Sequence, residues 1–151
     1  MTGEVRTKED RERDLYLQEE YGFITEYRKD GIRLVFSPLG KEIWNVARNE
    51  IEKIINKGIR FFERENLKIE EIFVGVLYED SENYKDFVVS FMVSKPIDDI
   101  DKEIMLPIKL EKEVKVYFDS IKKKIKIKIK FFSIKLWYIK MGDAEYVCVY
   151  R

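Results

Sequence analysis

The spacing of apolar residues changes along the chain and predicts an α+β fold. Residues 22–36 hold two apolar-rich runs around Asp30-Gly31, a dipeptide that favours a β-hairpin because glycine adopts positive φ without steric cost. Ser37 and Pro38 then predict a helix start, with serine as the N-cap and proline at the first helical position. Apolar residues at three- and four-residue steps predict that this helix continues to Asn66. The stripe consists of Leu39, Ile43, Ala47, Ile51, Ile54, Ile55 and Phe62.

After this helix the apolar period becomes two, which is typical of strands. Residues 71–78 and 87–94 predict two strands that are apolar on both faces, so we expect them to be central and covered on both sides. Residues 96–105 predict a short acidic helical turn that Pro107 ends. Further strands are predicted at 108–118, 124–131, 133–140 and 144–150. The expected architecture is therefore an N-terminal β-hairpin, one long amphipathic helix, and a mainly antiparallel β-sheet packed on the helix.

The chain is expected to form one domain with a charged extension. Residues 1–13 are mostly charged and are expected to be flexible, whereas residues 14–151 are expected to form a single α+β domain. The apolar runs are far shorter than the ~20 residues of a membrane helix, so no membrane partner is expected. The first residues lack the apolar core of a secretory signal, which favours a cytoplasmic location, or the host cytoplasm for a viral protein.

Composition narrows the chemistry and indicates the source. The chain has no histidine and one cysteine, Cys148, which excludes imidazole-based catalysis, imidazole metal ligands and an intrachain disulfide. No cofactor is expected, except Mg²⁺ if the protein were a nuclease. The chain holds 20 Lys and 19 Glu but one Gln, an enrichment typical of thermophilic archaea, bacteria or their viruses, and an AT-rich genome would also give a chain rich in Lys.

Charge is polarised along a chain whose formal net charge is zero. Residues 1–107 carry a formal net charge of −7 and residues 108–140 carry +8. Within the basic part, five lysines alternate with apolar residues and are expected to share one face of a strand, ~6.7 Å apart, which is close to the spacing of backbone phosphates. The predicted nucleic-acid-binding residues are Lys122, Lys124, Lys126, Lys128, Lys130, Lys135 and Lys140. The other interpretation of the same lysines is protection of an exposed strand edge against further pairing.

Glu113-Val114-Lys115 gives a second candidate site. Nucleases with a PD-(D/E)xK core place such a pair on a strand beside an upstream aspartate, to hold Mg²⁺ and the attacking water. The upstream candidates here are Asp98, Asp99 and Asp101. A three-residue pattern carries little weight in a chain that is 38% charged.

Three classes of function are compatible with these sequence patterns. The leading expectation is a non-catalytic interaction or assembly module, since no catalytic constellation is strong. The alternative is a protein that binds DNA or RNA through the basic strands, and the second alternative is a Mg²⁺-dependent nuclease. The apolar faces of the first two sheet strands predict a homodimer or another protein partner.

Overall fold

The computed structural model describes residues 22–28, 30–78, 85–94 and 99–138. They form five strands and two helices in the order β-β-α-β-β-α-β. The elements are β1 (Ile24–Tyr27), β2 (Arg33–Phe36), α1 (Pro38–Glu63), β3 (Ile69–Tyr78), β4 (Lys85–Val93), α2 (Ile100–Lys124) and β5 (Phe131–Tyr138). Neither of these helices contains an apolar stretch that could cross a bilayer.

The sheet is mixed, with its strands in the order β1-β2-β3-β4-β5. β1 and β2 pair antiparallel, as do β3 and β4, whereas β2–β3 and β4–β5 are parallel pairs. A parallel pair needs a crossover connection, and α1 and α2 supply the two crossovers. The α+β class is therefore confirmed, but a mainly antiparallel sheet over a single helix was wrong.

The first hairpin and the first helix start where the sequence predicts. Gly31 adopts a φ of 84° in the turn between β1 and β2. The Ser37 hydroxyl accepts hydrogen bonds from the backbone N–H of Gly40 at 3.0 Å and of Val76 at 3.1 Å. It therefore caps α1 and also ties the helix start to β3. Helix α1 ends at Glu63, slightly before the predicted Asn66, which has a φ of 62° in the turn that follows.

Both helices pack on the same face of the sheet. The α1 stripe at Ile43, Ala47, Ile51 and Phe62 is buried against inward-facing residues of β2, β3 and β4, while α2 lies against α1 and β5. The opposite face has a smaller buried cluster formed by Phe23, Val35, Phe73, Val88 and Met92. Both faces of β3 and β4 are thus buried, as the sequence predicts.

Helix α2 replaces the strand predicted at residues 108–118. Its buried residues Leu106, Leu110, Val114 and Phe118 follow each other at four-residue steps, so they satisfy a helical stripe. Leu110, Val114 and Phe118 also fit a period of two, which is why the sequence favoured a strand. Pro107 does not end the segment, because the helix continues through it to Lys124.

The strand predicted at residues 124–131 is also wrong over most of its length. Lys124 ends α2, and residues 125–130 form a connection without strand pairing before β5 begins at Phe131. The strand predicted at 133–140 corresponds to β5 as far as Tyr138. Residues 1–13 and the strand predicted at 144–150 lie outside the described residues.

Candidate nucleic-acid interface

The lysine segment, defined as residues 122–130, lies at the end of α2 and in the connection to β5. It holds six lysines in nine residues and no acid, and all six are exposed. Lys122 and Lys124 lie in the last turn of α2, where the helix dipole favours cations. Lys126, Lys128 and Lys130 follow in the connection. The five alternating lysines therefore do not form the predicted ladder on one face of a strand.

Three isoleucines anchor the connection to the protein. Ile125, Ile127 and Ile129 are half-buried and pack against the core between the helices and the sheet. The intervening lysines are exposed, so the predicted alternation of buried and exposed residues holds without a strand. At the end of the connection, the backbone N–H of Lys130 donates to the carbonyl of Lys85 at 2.9 Å. These contacts hold the backbone in place while the ammonium groups face solvent.

Lys124 also has a structural role. Its ammonium group lies 2.5 Å from the Glu50 carboxylate on α1, and the Ser120 hydroxyl donates to the same oxygen at 2.9 Å. The hydrogen bond from Lys124 is the main cause that lowers the pKa of Glu50 below its ordinary value, while burial opposes it. This contact between α1 and α2 fixes the start of the lysine segment.

Lys135 lies apart from the lysine segment. It is half-buried on β5, in register with Ser90 of β4, on the sheet face opposite the helices. At the neighbouring position of β5, the backbone of Ile134 hydrogen-bonds to Glu111 of α2, and burial is the main cause that raises the pKa of Glu111. The structure therefore places Lys135 at a separate position of the sheet. Lys140 lies outside the described residues.

The nuclease candidates that the structure describes do not come together. Asp99 is the N-cap of α2, and its carboxylate accepts from the backbone N–H of Asp101 at 2.9 Å. Glu113 and Lys115 lie on the same helix, exposed, and 12 residues of helical rise separate Asp101 from Glu113 by about 18 Å. The strand predicted for Glu113 and Lys115 is thus wrong, and Asp98 lies outside the described residues. Across the described ranges, no three acidic or sulfur-bearing side chains gather as a metal site would require.

A basic groove between the helices was not anticipated from the sequence. It encloses about 600 Å³ and is lined by Lys57, Arg60, Glu63, Arg64 and Glu113. Its three cations are Lys57 and Arg60 of α1 and the C-cap residue Arg64, which follow each other at three- and four-residue steps, a helical spacing that the sequence contains. The stripe escaped notice because acidic residues are interspersed along α1 and the net charge of the N-terminal part is negative.

A buried ion pair was also not anticipated. On the sheet face opposite the helices, the Arg33 guanidinium lies 3.1 Å from the Glu71 carboxylate, and the two residues are neighbours in the parallel β2–β3 register. Toward the other end of the same sheet face, on β4 and β5, the Ser133 hydroxyl donates to Asp86 at 3.1 Å. The apolar neighbours of Arg33 and Glu71 along their strands gave no signal that the two would pair.

Comparison with known proteins adds no relative. Neither the protein-family models, nor the curated proteins, nor the solved structures contain a match to this chain. The interpretation of the site therefore depends on its geometry and charge.

Proposed function

We propose that this protein is a non-catalytic interaction module whose partner is nucleic acid, bound through its phosphate backbone at the lysine segment. The observation that carries the proposal is the run of six exposed lysines, without an acid, at the end of α2 and on a connection anchored by three half-buried isoleucines. A run of this charge attracts phosphates and gains affinity from the release of their counterions.

The anchored backbone favours binding over a merely solvated tail. Because Ile125, Ile127 and Ile129 already hold the connection against the core, a ligand need not order the main chain and loses less free energy on binding. Lys126, Lys128 and Lys130 are exposed at alternate positions of the connection, so several of them can contact the phosphates of one nucleic-acid backbone. Lysine contacts to phosphate carry no base information, so the binding is expected to be independent of sequence.

The two other interpretations lose their support in this geometry. Edge protection requires the lysines to stand on a strand, whereas residues 125–130 have no strand pairing. The nuclease hypothesis requires Glu113 and Lys115 to lie beside Asp98, Asp99 or Asp101, and about three turns of α2 separate Glu113 from Asp101.

Fluorescence-anisotropy titration with labelled single- and double-stranded DNA and RNA tests the proposal. We expect binding at 50 mM salt that weakens steeply at 200 mM salt. Replacing Lys126 and Lys128 by Gln should lower the affinity by roughly tenfold and reduce the slope of log K against log salt by about 1.4–1.8.

The matched control is a double variant that removes two lysine charges from another part of the surface. Lys68 and Lys102 are exposed near the other end of the helix pair, where Lys102 lies 4.0 Å from Glu65. Replacing both by Gln should leave the salt slope unchanged. An equal loss of affinity in the two double variants would mean that net charge alone causes the effect, and it would contradict a site at the lysine segment. An absence of binding at 50 mM salt would also contradict it.

A further inference from the structure

Helix α2 exposes an unusual amount of apolar surface. In the described part of the chain, five of the eight exposed large apolar side chains belong to this helix. Their exposed fractions are 69% for Ile100, 57% for Ile104, 46% for Met105, 40% for Ile108 and 65% for Val116. Single exposed apolar residues are ordinary, but a group on one helix indicates an interaction surface.

These residues face away from the core of their own chain. At 100° per residue, Ile108 points about 160° away from the buried Leu110 around the helix axis. Ile104 precedes Ile108 by four residues and lies on the same side, with Ile100 another turn before it. Ile108 and Val116 fit the period of two in the strand predicted at 108–118, but they do not belong to the buried stripe of the observed helix.

One acidic and one basic residue flank Ile108 at equal distances on this side of the helix. Asp101 and Lys115 lie seven residues before and after it, which is two turns in each direction on the same side of the helix. Both side chains are exposed. A second α2 placed antiparallel brings Asp101 of each copy opposite Lys115 of the other, whereas a parallel arrangement brings like charges together.

We infer that α2 is the contact surface between two copies of this chain, packed antiparallel with the two-fold axis at Ile108. The surface is self-complementary in charge, and the same axis places Ile100 of one copy near Val116 of the other. Ile104 then lies against the methylene stem of Lys112, which covers apolar surface while its ammonium group stays in solvent. This contact involves neither the lysine segment nor nucleic acid, so it stands or falls separately from the proposed function.

Sedimentation equilibrium over a range of concentrations tests the contact. The unaltered chain should be a dimer, and Ile104→Glu and Ile108→Glu should each give a monomer with an unchanged circular-dichroism spectrum. Val46→Glu is the matched control, because Val46 is 55% exposed on α1, and it should remain a dimer. A monomer at every concentration, or a dimer that persists in both α2 variants, would overturn the inference.

A charge exchange tests the antiparallel register. Asp101→Lys and Lys115→Asp should each weaken the dimer by roughly threefold to tenfold, because each places like charges together twice across the axis. Combining the two substitutions restores opposite charges and should restore the dissociation constant of the unaltered chain. A combined variant no tighter than the single variants would exclude the axis at Ile108.

Discussion

Glu50 connects the two helices through a single carboxylate. Its side chain is buried where α1 faces α2 and takes hydrogen bonds from Lys124 and Ser120. Because the folded pKa of Glu50 is lowered, its carboxylate stabilises the fold above the unfolded pKa of about 4.3, and this contribution is lost as the pH falls through the folded value.

Glu50→Gln should lower the free energy of unfolding by about 1 kcal/mol at pH 7, because it weakens the hydrogen bonds from Lys124 and Ser120. The loss is small because the Lys124 side chain is half-exposed and its charge is screened by solvent. The difference from the unaltered protein should shrink as the pH falls through the lowered pKa of Glu50, below which both proteins carry a neutral side chain. Urea denaturation across this pH range measures both effects. Glu42→Gln, at an exposed position of α1, is the control and should change the stability by less than about 0.5 kcal/mol. A pH-independent difference between Glu50→Gln and the unaltered protein would contradict the role assigned to the charge.

Gly58 shows how tertiary packing reverses a local preference. By helix propensity alone, this glycine is a weak point that costs about 1 kcal/mol relative to alanine. In the structure, a Cβ at position 58 would lie 2.1 Å from the Phe91 ring, and Phe91 is fully buried. The glycine is therefore required by close packing of α1 on β4.

Gly58→Ala should destabilise the protein by about 1–3 kcal/mol, because the strain of overpacking exceeds the gain in helix propensity. Thermal or urea denaturation measures the change. Asn45→Ala, at an exposed position of α1, tests propensity without the clash and should be neutral or slightly stabilising. A more stable Gly58→Ala protein would mean that Phe91 moves aside at little cost.

At the scale of elements, Ser37 joins α1 to the sheet. The buried Ser37 hydroxyl accepts hydrogen bonds from the first turn of the helix and from the Val76 N–H of β3. Asp99 caps α2 in a simpler way, since the bond from Asp101 is exposed and lies within the helix start. The two N-caps therefore differ in what they hold together.

Ser37→Ala should cost about 2–3 kcal/mol, because it removes an N-cap and leaves two buried N–H groups without an acceptor. Asp99→Ala should cost only about 1 kcal/mol, since water replaces the lost acceptor. Chemical denaturation of the two variants gives the comparison. Equal losses would show that the bond to Val76 adds nothing to the cap.

At the scale of the whole molecule, stability is expected to be uneven. β3 and β4 are central strands with both faces buried, while the lysine segment is held mainly by side chains. The proposed binding surface lies at the periphery, so a ligand bound there would leave the core undisturbed.

Hydrogen exchange should follow this division. Amides in the middle of β3 and β4 should exchange only on global unfolding, whereas most amides of residues 125–129 should exchange fast, because no strand pairs with them. Added nucleic acid should slow exchange in the lysine segment, and heparin, which carries similar charge, provides a comparison for specificity. Slow exchange at residues 125–129 in the absence of any ligand would contradict the described connection.

Local signals in the sequence were enough to predict the Asp30-Gly31 hairpin, the Ser37-Pro38 helix start, the α1 stripe and the strands β3 and β4. These depend on turn chemistry, capping and one clear apolar period. The sequence also located the run of lysines and its alternation with isoleucines, and composition alone supports the thermophilic source, which stays a prediction. Residues 100–124 are helical because of their tertiary contacts. Leu110, Val114 and Phe118 fit both a helical and a strand period, and packing against α1 and β5 stabilises the helix. The helical conformation of this segment also separates Glu113 and Lys115 from Asp101. The mixed sheet, the Arg33–Glu71 pair and the groove lined by the α1 cations depend on which distant segments meet, so local patterns could not predict them.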